Sequence, residues 1–250
     1  MLSKSKIQYI TSLQLKKFRK QHGVFVVEGA KSVQEFLDSD YTVFSVYSVA
    51  GAGTKMNKIP ENTEFIEITA NELEKISNHS APQEHLALVK MPKERTITEA
   101  NTANFKGKFT MVLDDVQDPG NLGTIIRLAD WFGLEHVICS IGSVDAYNPK
   151  TVQATMGSLS RVKVIYMDLN AAFRMLNIPV FGAVLDGESI YDAEFGEEGL
   201  LLFGNEGRGI SAPVMKSIKH PLTIPRIGHA ESLNVAISAA LFCSEVTRRK

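Results

Sequence analysis

Short apolar runs alternate with helical segments along the C-terminal part of the chain, and this alternation limits the possible folds. The runs are short and read as strands, and they are FTMVL (109–113), HVICS, VKVIYM, VFGAVL, LLLFG and PLTIP. Helical patterns separate several of them, and the first helix has an apolar stripe of Leu122, Ile125, Ile126, Ala129 and Phe132. Strands that alternate with helices predict an α/β fold with a mainly parallel sheet, which binds ligands at the carboxyl ends of its strands.

The first 91 residues show a second, smaller α/β alternation, which begins with a helical pattern over residues 5–20. Its strand-like runs are VFVVEG (24–29), YTVFSVYSVA (41–50), FIEIT and HLALVKM. Residues 92–107 are polar and have no apolar period, which is typical of a linker. The sequence therefore predicts a small N-terminal α/β domain over 1–91, a linker over 92–107 and a second domain over 108–250.

The composition, 44% hydrophobic and 22% charged, is typical of soluble globular proteins. The N-terminus MLSKSKIQYI lacks the apolar core of a secretory signal, and no apolar run has the length of a membrane span. Cys139 and Cys243 are too few for a disulfide framework, and with the six histidines they show no metal-ligand spacing. We therefore expect a cytoplasmic protein that binds neither a membrane nor a metal ion.

Charge is unevenly distributed, because residues 1–31 carry a net charge of +6 while the whole chain carries −1. A basic end on an acidic body favours a polyanionic partner, since phosphate contacts dominate the affinity for nucleic acids. A solvent-exposed helix face rich in lysine explains the charge equally well. The candidate RNA-binding side chains of this segment are those of Lys16, Lys17, Arg19 and Lys20.

Three loops that follow strands carry most of the candidate functional residues. In the first, DDVQDPGNLGTIIR (114–127), Asn121 is a suitable N-cap for the helix that follows. Arg127 lies on the same helix face as Gly123 and Asp130, away from the apolar stripe. Either Arg127 forms a surface ion pair with Asp130, or its guanidinium binds a phosphate or ribose beside the space at Gly123.

The second loop, GNEGRGIS (204–211), has three glycines within six residues, which is more than one turn requires. Close approach of the main chain to a ligand explains the excess better. The loop lacks the lysine and hydroxyl residue of a P-loop, which disfavours a phosphate-binding nucleotide enzyme. In the third loop, IPRIGHAESLNV (224–235), Glu231 or Ser232 is a suitable helix cap, and Asn234 is a less expected polar residue in the first helical turn.

In this order and spacing, the loops resemble the three motifs of the SpoU-type RNA ribose 2′-O-methyltransferases of the SPOUT class. The first loop matches N-x-G-x-x-x-R (121–127), the second G-N-E-G-x-G (204–209) and the third I-P followed by S-L-N-V (232–235). NPKTVQATMGSL (148–159) resembles the family's segment between the first two motifs. GVFVVEGAKSVQEFL (23–37) resembles the family's smaller substrate-binding domain, an α/β module similar to ribosomal protein L30.

The resemblance implies a parallel C-terminal sheet with a deep trefoil knot, and a homodimer with its site near the interface. It also implies an S-adenosylmethionine cofactor, bound by the knotted loops largely through main-chain groups. Carried over residue by residue, the cofactor contacts lie at Ala183, Val184, Gly204, Asn205, Gly207, Ile224, Ser232 and Leu233.

The implied reaction moves a methyl group from a sulfonium to a ribose 2′-oxygen. The candidate catalytic residues are Arg127, Asn121, Glu206, Ser232 and Asn234. Arg127 would clamp a phosphate and stabilise the developing alkoxide, because arginine stays protonated in proteins. The two asparagines and Ser232 would orient the ribose, and Glu206 would brace its own loop.

Arg208 in the second loop and Arg226 in the third are candidate RNA contacts, although Arg226 departs from the family, whose members often have an apolar residue there, and either adds an RNA contact or has no role. The N-terminal domain favours ribosomal RNA over transfer RNA, because it resembles that of relatives that modify ribosomal RNA. A non-catalytic RNA-binding assembly factor on the same fold is the alternative, which the complete set of motif residues disfavours.

Overall fold

The computed structural model describes residues 1–52, 56 and 59–248, which form two compact units. Unit 1 comprises Met1–Lys93 together with Asp145–Arg161, and unit 2 comprises Glu94–Val144 together with Val162–Lys250. The segment Asp145–Arg161 thus belongs with the N-terminal unit, although the sequence places it within the second domain. Within the described ranges, no helix has the length and apolar character needed to cross a membrane.

Unit 1 is built on a mixed four-stranded sheet. Its strands are β1 (Val24–Glu28), β2 (Val43–Val49), β3 (Glu64–Ile68) and β4 (His85–Lys90), in the spatial order β1-β4-β2-β3. β4 runs antiparallel to β1 and β2, whereas β2 and β3 are parallel. Four helices accompany the strands, α1 (Lys4–Ser12), α2 (Lys16–His22), α3 (Ala30–Leu37) and α4 (Ala70–Ile76), and the inserted segment adds a further helix, Pro149–Thr155. The expected small α/β domain is therefore present.

Arg19 explains why the helix predicted over residues 5–20 is divided into α1 and α2. Its side chain is 1% exposed, and Nη1 donates to the carbonyl oxygens of Leu13 and Gln14 at 2.9 and 2.7 Å. These carbonyls lie just beyond the end of α1, where no further helical turn supplies donors. Nη2 forms a 2.7 Å ion pair with Asp145. The assignment of Arg19 to an RNA-binding surface is therefore wrong, because its guanidinium is buried inside unit 1.

Unit 2 contains a six-stranded sheet in which every described strand pair is parallel. The strands are β5 (Phe109–Leu113), β6 (His136–Cys139), β7 (Lys163–Tyr166), β8 (Val180–Ser189), β9 (Gly199–Phe203) and β10 (His220–Thr223). Their spatial order is β10-β8-β9-β5-β6-β7. The prediction of a parallel α/β sheet is confirmed, and β9, β5 and β6 are consecutive neighbours at its centre.

The helix Pro149–Thr155 of unit 1 is α6 in chain order. The helices of unit 2 are α5 (Pro119–Trp131), α7 (Leu169–Leu176), α8 (Ala212–Met215) and α9 (Val235–Arg248). Four residues of the α5 stripe, Leu122, Ile125, Ile126 and Ala129, are fully buried. Gly133 follows the helix with a φ of +72°, the left-handed conformation expected of a helix stop. α5 packs against α9, which brings the first and last functional loops together.

Residues 94–107 belong to unit 2 rather than forming a free linker. Glu99–Phe105 is a 3₁₀ helix, and Ile97 and Phe105 are buried in the core of the unit. The Phe105 ring lies 4.6 Å from that of His136. The sequence shows no apolar period here because two isolated anchors, rather than a continuous helix face, attach the segment.

Candidate active site

Two side-chain hydrogen bonds join the three motif loops. Asn121 Nδ2 donates to Glu206 Oε1 at 2.9 Å, and Asn234 Nδ2 donates to Asn121 Oδ1, also at 2.9 Å. Asn121 thus lies between the second and third loops and uses both ends of its amide. Because Glu206 can only accept, this chain of bonds fixes which end of each amide carries the oxygen.

Glu206 lies at the N-terminus of α5. Its carboxylate accepts hydrogen bonds from the main-chain N–H groups of Gln117 and Asp118, each at 3.3 Å. Burial raises the pKa of Glu206, but the hydrogen bonds from Asn121 and from main-chain N–H groups outweigh it, so the pKa is lowered overall. The helix dipole favours an anion at this position. Glu206 is therefore a fixed, ionised anchor.

Asp118, rather than Asn121, is the N-cap of α5. Its Oδ1 accepts from the main-chain N–H of Asn121 at 2.8 Å, and Pro119 occupies the first helical position. The predicted cap at Asn121 is wrong by one helical turn. Because Asp118 satisfies the helix end, the Asn121 side chain is available to link the loops.

Asn234 caps α9, a role predicted for Glu231 or Ser232. Its Oδ1 accepts from the main-chain N–H groups of Ala236 and Ile237, at 2.9 and 3.3 Å. The cap lies later than predicted because the helix begins only at Val235. Ser232 is exposed and has no hydrogen-bond partner among the residues that the structure describes.

The loop 204–211 is closed by its own hydrogen bonds. Asn205 and Gly209 exchange two main-chain bonds of 2.9 Å, and Asn205 Oδ1 accepts from the N–H groups of Gly207 and Arg208 at 3.0 Å. Asn205 Nδ2 also donates to the carbonyl oxygen of Asp115 at 2.7 Å, which ties this loop to the one after β5. The loop is therefore preformed.

Packing within the loop accounts for the glycine at position 204. A Cβ on Gly204 would lie 2.2 Å from the carbonyl carbon of Gly209 and 2.3 Å from the nitrogen of Ile210. Gly209 has a φ of +68°, which a side chain rarely tolerates. At Gly207, by contrast, the nearest atom to a Cβ is 3.8 Å away, so the loop itself does not require a glycine there.

Arg127 is exposed on α5. The structure shows no hydrogen bond or ion pair of its guanidinium within the described residues, so the surface pair with Asp130 is not observed there. Arg127 lies on the same helix as Asn121, six positions further along, and an exposed cation there is available to bind an anion.

The candidate cofactor contacts lie on three adjacent strands of the sheet. Ala183 and Val184 belong to β8, while Gly204 and Ile224 directly follow β9 and β10. Val184 and Ile224 are half-buried, and Leu233 is exposed. Apolar side chains beside main-chain groups suit a ligand that contains an aromatic ring and forms most of its hydrogen bonds with the backbone.

Two of the candidate RNA contacts have partners near their own loops. Arg208 forms an ion pair with Asp115 and its side chain remains 75% exposed, while Arg226 Nη1 donates to the carbonyl of Ala230 at 3.1 Å. Lys16, Lys17 and Lys20 are exposed on unit 1.

Sequence reasoning missed Asp115, Gln117 and Asp118, which connect the first two loops. The Asp-Pro pair at 118–119 is the recognisable signal of an N-cap followed by proline, and it lies just before the predicted cap at Asn121. Asp115 has a φ of +60°, which no local pattern indicates. Among the described residues, no group of three or more His, Cys, Asp or Glu side chains is arranged to hold a metal ion.

A family model settles the affiliation of the chain. The SpoU rRNA Methylase family matches residues 108–244, which include all three motif loops. The chain belongs to this family. A second model, the MRM3-like substrate binding domain, matches residues 4–87 of the same SpoU methylase.

Relatives of this SpoU methylase match over nearly its whole length. The 23S rRNA (guanosine(2553)-2′-O)-methyltransferase RlmP of Bacillus subtilis is 30% identical over 240 residues, covering 94% of this chain and 93% of RlmP. A TrmH-family structure from Porphyromonas gingivalis is 41% identical, covers both chains completely and superposes with a TM-score of 0.88. An AdoMet-bound rRNA methyltransferase from Sinorhizobium meliloti is 26% identical, with a TM-score of 0.87 over 100% of this chain and 97% of its own.

Proposed function

We propose that this protein transfers a methyl group from S-adenosylmethionine to a ribose 2′-hydroxyl of ribosomal RNA. The observation that carries the proposal is the hydrogen-bonded chain Glu206–Asn121–Asn234, in which Asn121 belongs to the helix that also carries the exposed Arg127. The similarity to RlmP, which acts on 23S rRNA, supports ribosomal rather than transfer RNA.

S-adenosylmethionine supplies an electrophilic methyl group when it is bound. Residues Ala183, Val184, Gly204, Ile224 and Leu233 would hold it, together with Asn205, Gly207 and Ser232. Gly207 would contribute by the absence of a side chain, because a Cβ there would have room within the loop and the loop itself does not require the glycine.

Arg127 would bind a phosphate of the RNA and stabilise the negative charge that develops on the 2′-oxygen. A guanidinium suits both tasks, since it remains protonated and donates two parallel hydrogen bonds. Asn121 and Asn234 each keep one amide N–H beyond the bonds already described, and these would orient the ribose. Placing the oxygen in line with the methyl group is a large part of the catalytic task.

Glu206 would be a positioning residue rather than the proton acceptor. Its carboxylate already accepts from Asn121, Gln117 and Asp118, and its lowered pKa makes it a weak base. Fixing Asn121 is the role that these contacts support.

The RNA would be bound by Lys16, Lys17 and Lys20 of unit 1 and by Arg208 and Arg226 of unit 2.

We also propose a trefoil knot, which the path of the chain supports. β10 lies at the sheet edge beside β8, whereas α9 packs near the centre against α5 and β9. A homodimer is supported by exposed apolar side chains on α5 and α9, Trp131 and Ile237.

The test is methyl transfer from labelled S-adenosylmethionine to ribosomal and transfer RNA from cells that lack the protein. We expect incorporation into ribosomal RNA at one ribose, located by resistance to alkaline cleavage. Calorimetric titration with S-adenosylmethionine accompanies the assay. Absence of cofactor binding would favour a non-catalytic assembly factor. Methylation of transfer RNA alone would show that transfer RNA, rather than ribosomal RNA, is the substrate.

A further inference from the structure

A cleft of about 360 Å³ opens at the carboxyl ends of β9, β5 and β6. It is lined by Asp114, Asp115, Ser140, Gly142, Asn205, Arg208, Gly209 and Ser211. Ligands of parallel sheets bind at this edge, and the volume lies near the lower limit for small-molecule sites. The cleft therefore suits a single nucleobase, and it shares the loop 204–211 with the candidate active site.

Asp114 presents an unsatisfied acceptor to this cleft. Its side chain is 5% exposed, and Oδ2 accepts from the main-chain N–H of Ser211 at 2.8 Å. Oδ1 has no hydrogen-bond partner among the described residues. This oxygen is not one of the fully buried unpaired side-chain atoms of the described residues, so it is open to the cleft as an acceptor for a ligand that supplies N–H groups.

Asp115 adds a second carboxylate that is held in place. Its φ of +60° is strained for a residue with a side chain, and its own contacts maintain it. Oδ1 accepts from Gln117 Nε2 at 2.7 Å, Oδ2 accepts from Arg208, and the main-chain N–H donates to Ser140 Oγ at 2.8 Å. Each carboxylate oxygen can accept a second hydrogen bond, so Asp115 retains acceptor capacity.

The lining thus presents the carboxylates of Asp114 and Asp115 with the guanidinium of Arg208, and the base that matches the two carboxylates is one with adjacent donors. Guanine presents N1–H and N2–H₂ side by side on its Watson–Crick edge, whereas uracil presents one donor between two acceptors. Ile141, between Ser140 and Gly142, is 68% exposed and offers an apolar contact for a base that has left its stack. We propose that this cleft binds the base of the target nucleotide and selects guanine, an inference that rests on the proposed function.

The test measures binding of guanosine, adenosine, cytidine and uridine to the full-length protein by ligand-observed NMR, with S-adenosylhomocysteine present. We expect guanosine to bind roughly tenfold tighter than uridine, the discrimination typical of a paired hydrogen-bond contact. Asp114→Asn keeps an oxygen for the Ser211 N–H but replaces the free acceptor with a donor. It should lower guanosine affinity about tenfold and leave uridine unchanged.

Asp192→Asn, at an exposed carboxylate, is the matched control, and Ile141→Ala provides a surface variant that keeps the fold. We expect Ile141→Ala to weaken all four nucleosides. Equal binding of the four nucleosides by the natural protein, or loss of S-adenosylmethionine affinity in Asp114→Asn, would overturn the assignment of the cleft. Methyl transfer with no nucleoside preference would refute this inference alone, whereas guanosine selectivity without methyl transfer would refute the proposed function alone.

Discussion

Asn234 Nδ2 donates a 2.9 Å hydrogen bond to Asn121 Oδ1, although 113 positions separate the two residues. The same Asn234 side chain caps α9 through its oxygen. One amide therefore combines the capping of α9 with the role proposed for it at the site, and substitution can separate the two.

We expect Asn234→Ser to retain the stability of the protein and to lose activity. Serine caps helices about as well as asparagine but has no amide to reach Asn121. The variant should keep its melting temperature within a few degrees while kcat falls by at least about tenfold. Asn234→Ala is the comparison, because it should also lose about 1 kcal/mol of stability. Equal activity of the serine variant and the natural protein would show that the asparagine bond has no catalytic role.

Arg127→Lys should reduce kcat by about 100-fold or more, since lysine keeps the charge but not the paired donors. The affinity for S-adenosylmethionine, measured by calorimetry, should not change. Arg174→Lys, an exposed arginine on α7, is the matched control and should be fully active. Near-normal turnover by Arg127→Lys would contradict the proposed role.

The two glycines at 204 and 207 should respond differently to alanine. Gly204→Ala forces a Cβ against the main chain of Gly209 and Ile210, so we expect a loss of several degrees in melting temperature together with weaker cofactor binding. Gly207→Ala has room within the loop and should fold normally. Thermal unfolding and calorimetry measure both effects, and equal stability of the variants would show that the loop relaxes around residue 204.

Replacing Lys16, Lys17 and Lys20 together with alanine should weaken RNA binding and make it less sensitive to salt. Each lost phosphate contact lowers the slope of log K against log salt by about 0.7 to 0.9. Arg19→Met should leave that slope intact and instead destabilise unit 1, because it leaves Asp145 without its partner. A salt slope that is unchanged in the triple variant would remove these lysines from the RNA surface.

The stability of the protein should fall as the pH is lowered from about 6.5 to 4, with His136 contributing. Burial, aided by nearby Lys163, lowers the pKa of His136 from 6.5 to about 4. The unfolded chain therefore takes up a proton in this interval that the folded chain does not, which favours unfolding. His136→Phe should flatten the pH dependence of urea midpoints, whereas His229→Gln, in an exposed loop, should not. If the urea midpoint depended on pH equally in His136→Phe and in the natural protein, His136 would be excluded as a source of the pH dependence.

Hydrophobic periodicity was sufficient to predict the strands of the unit 2 sheet and the helices that separate them. The α5 stripe, its stop at Gly133 and the strand runs all follow from local spacing. The cap at Asp118 was also available locally, from the proline that follows it. The insertion of Asp145–Arg161 into unit 1 was not, since no local pattern reports which surface a segment packs against.

The site depended on information of a different kind. Asn121, Glu206 and Asn234 are brought together by tertiary contacts, and only the family resemblance grouped them in advance. Charge patterning failed at Arg19 for a related reason. A run of basic residues does not indicate which side chain is buried. Arg19 is buried because it pairs with Asp145, which lies far along the chain.

The double role of Asn234 also has a consequence during protein synthesis. The side chain that completes the polar chain to Glu206 is itself fixed by the first turn of α9, which is translated after every other element described above. A nascent polypeptide whose α9 is still inside the ribosomal exit tunnel can contain folded strands and loops, yet Asn121 then lacks its bond to Asn234. The enzyme thus acquires its ordered site only when α9 emerges, so translation itself determines when the site is completed.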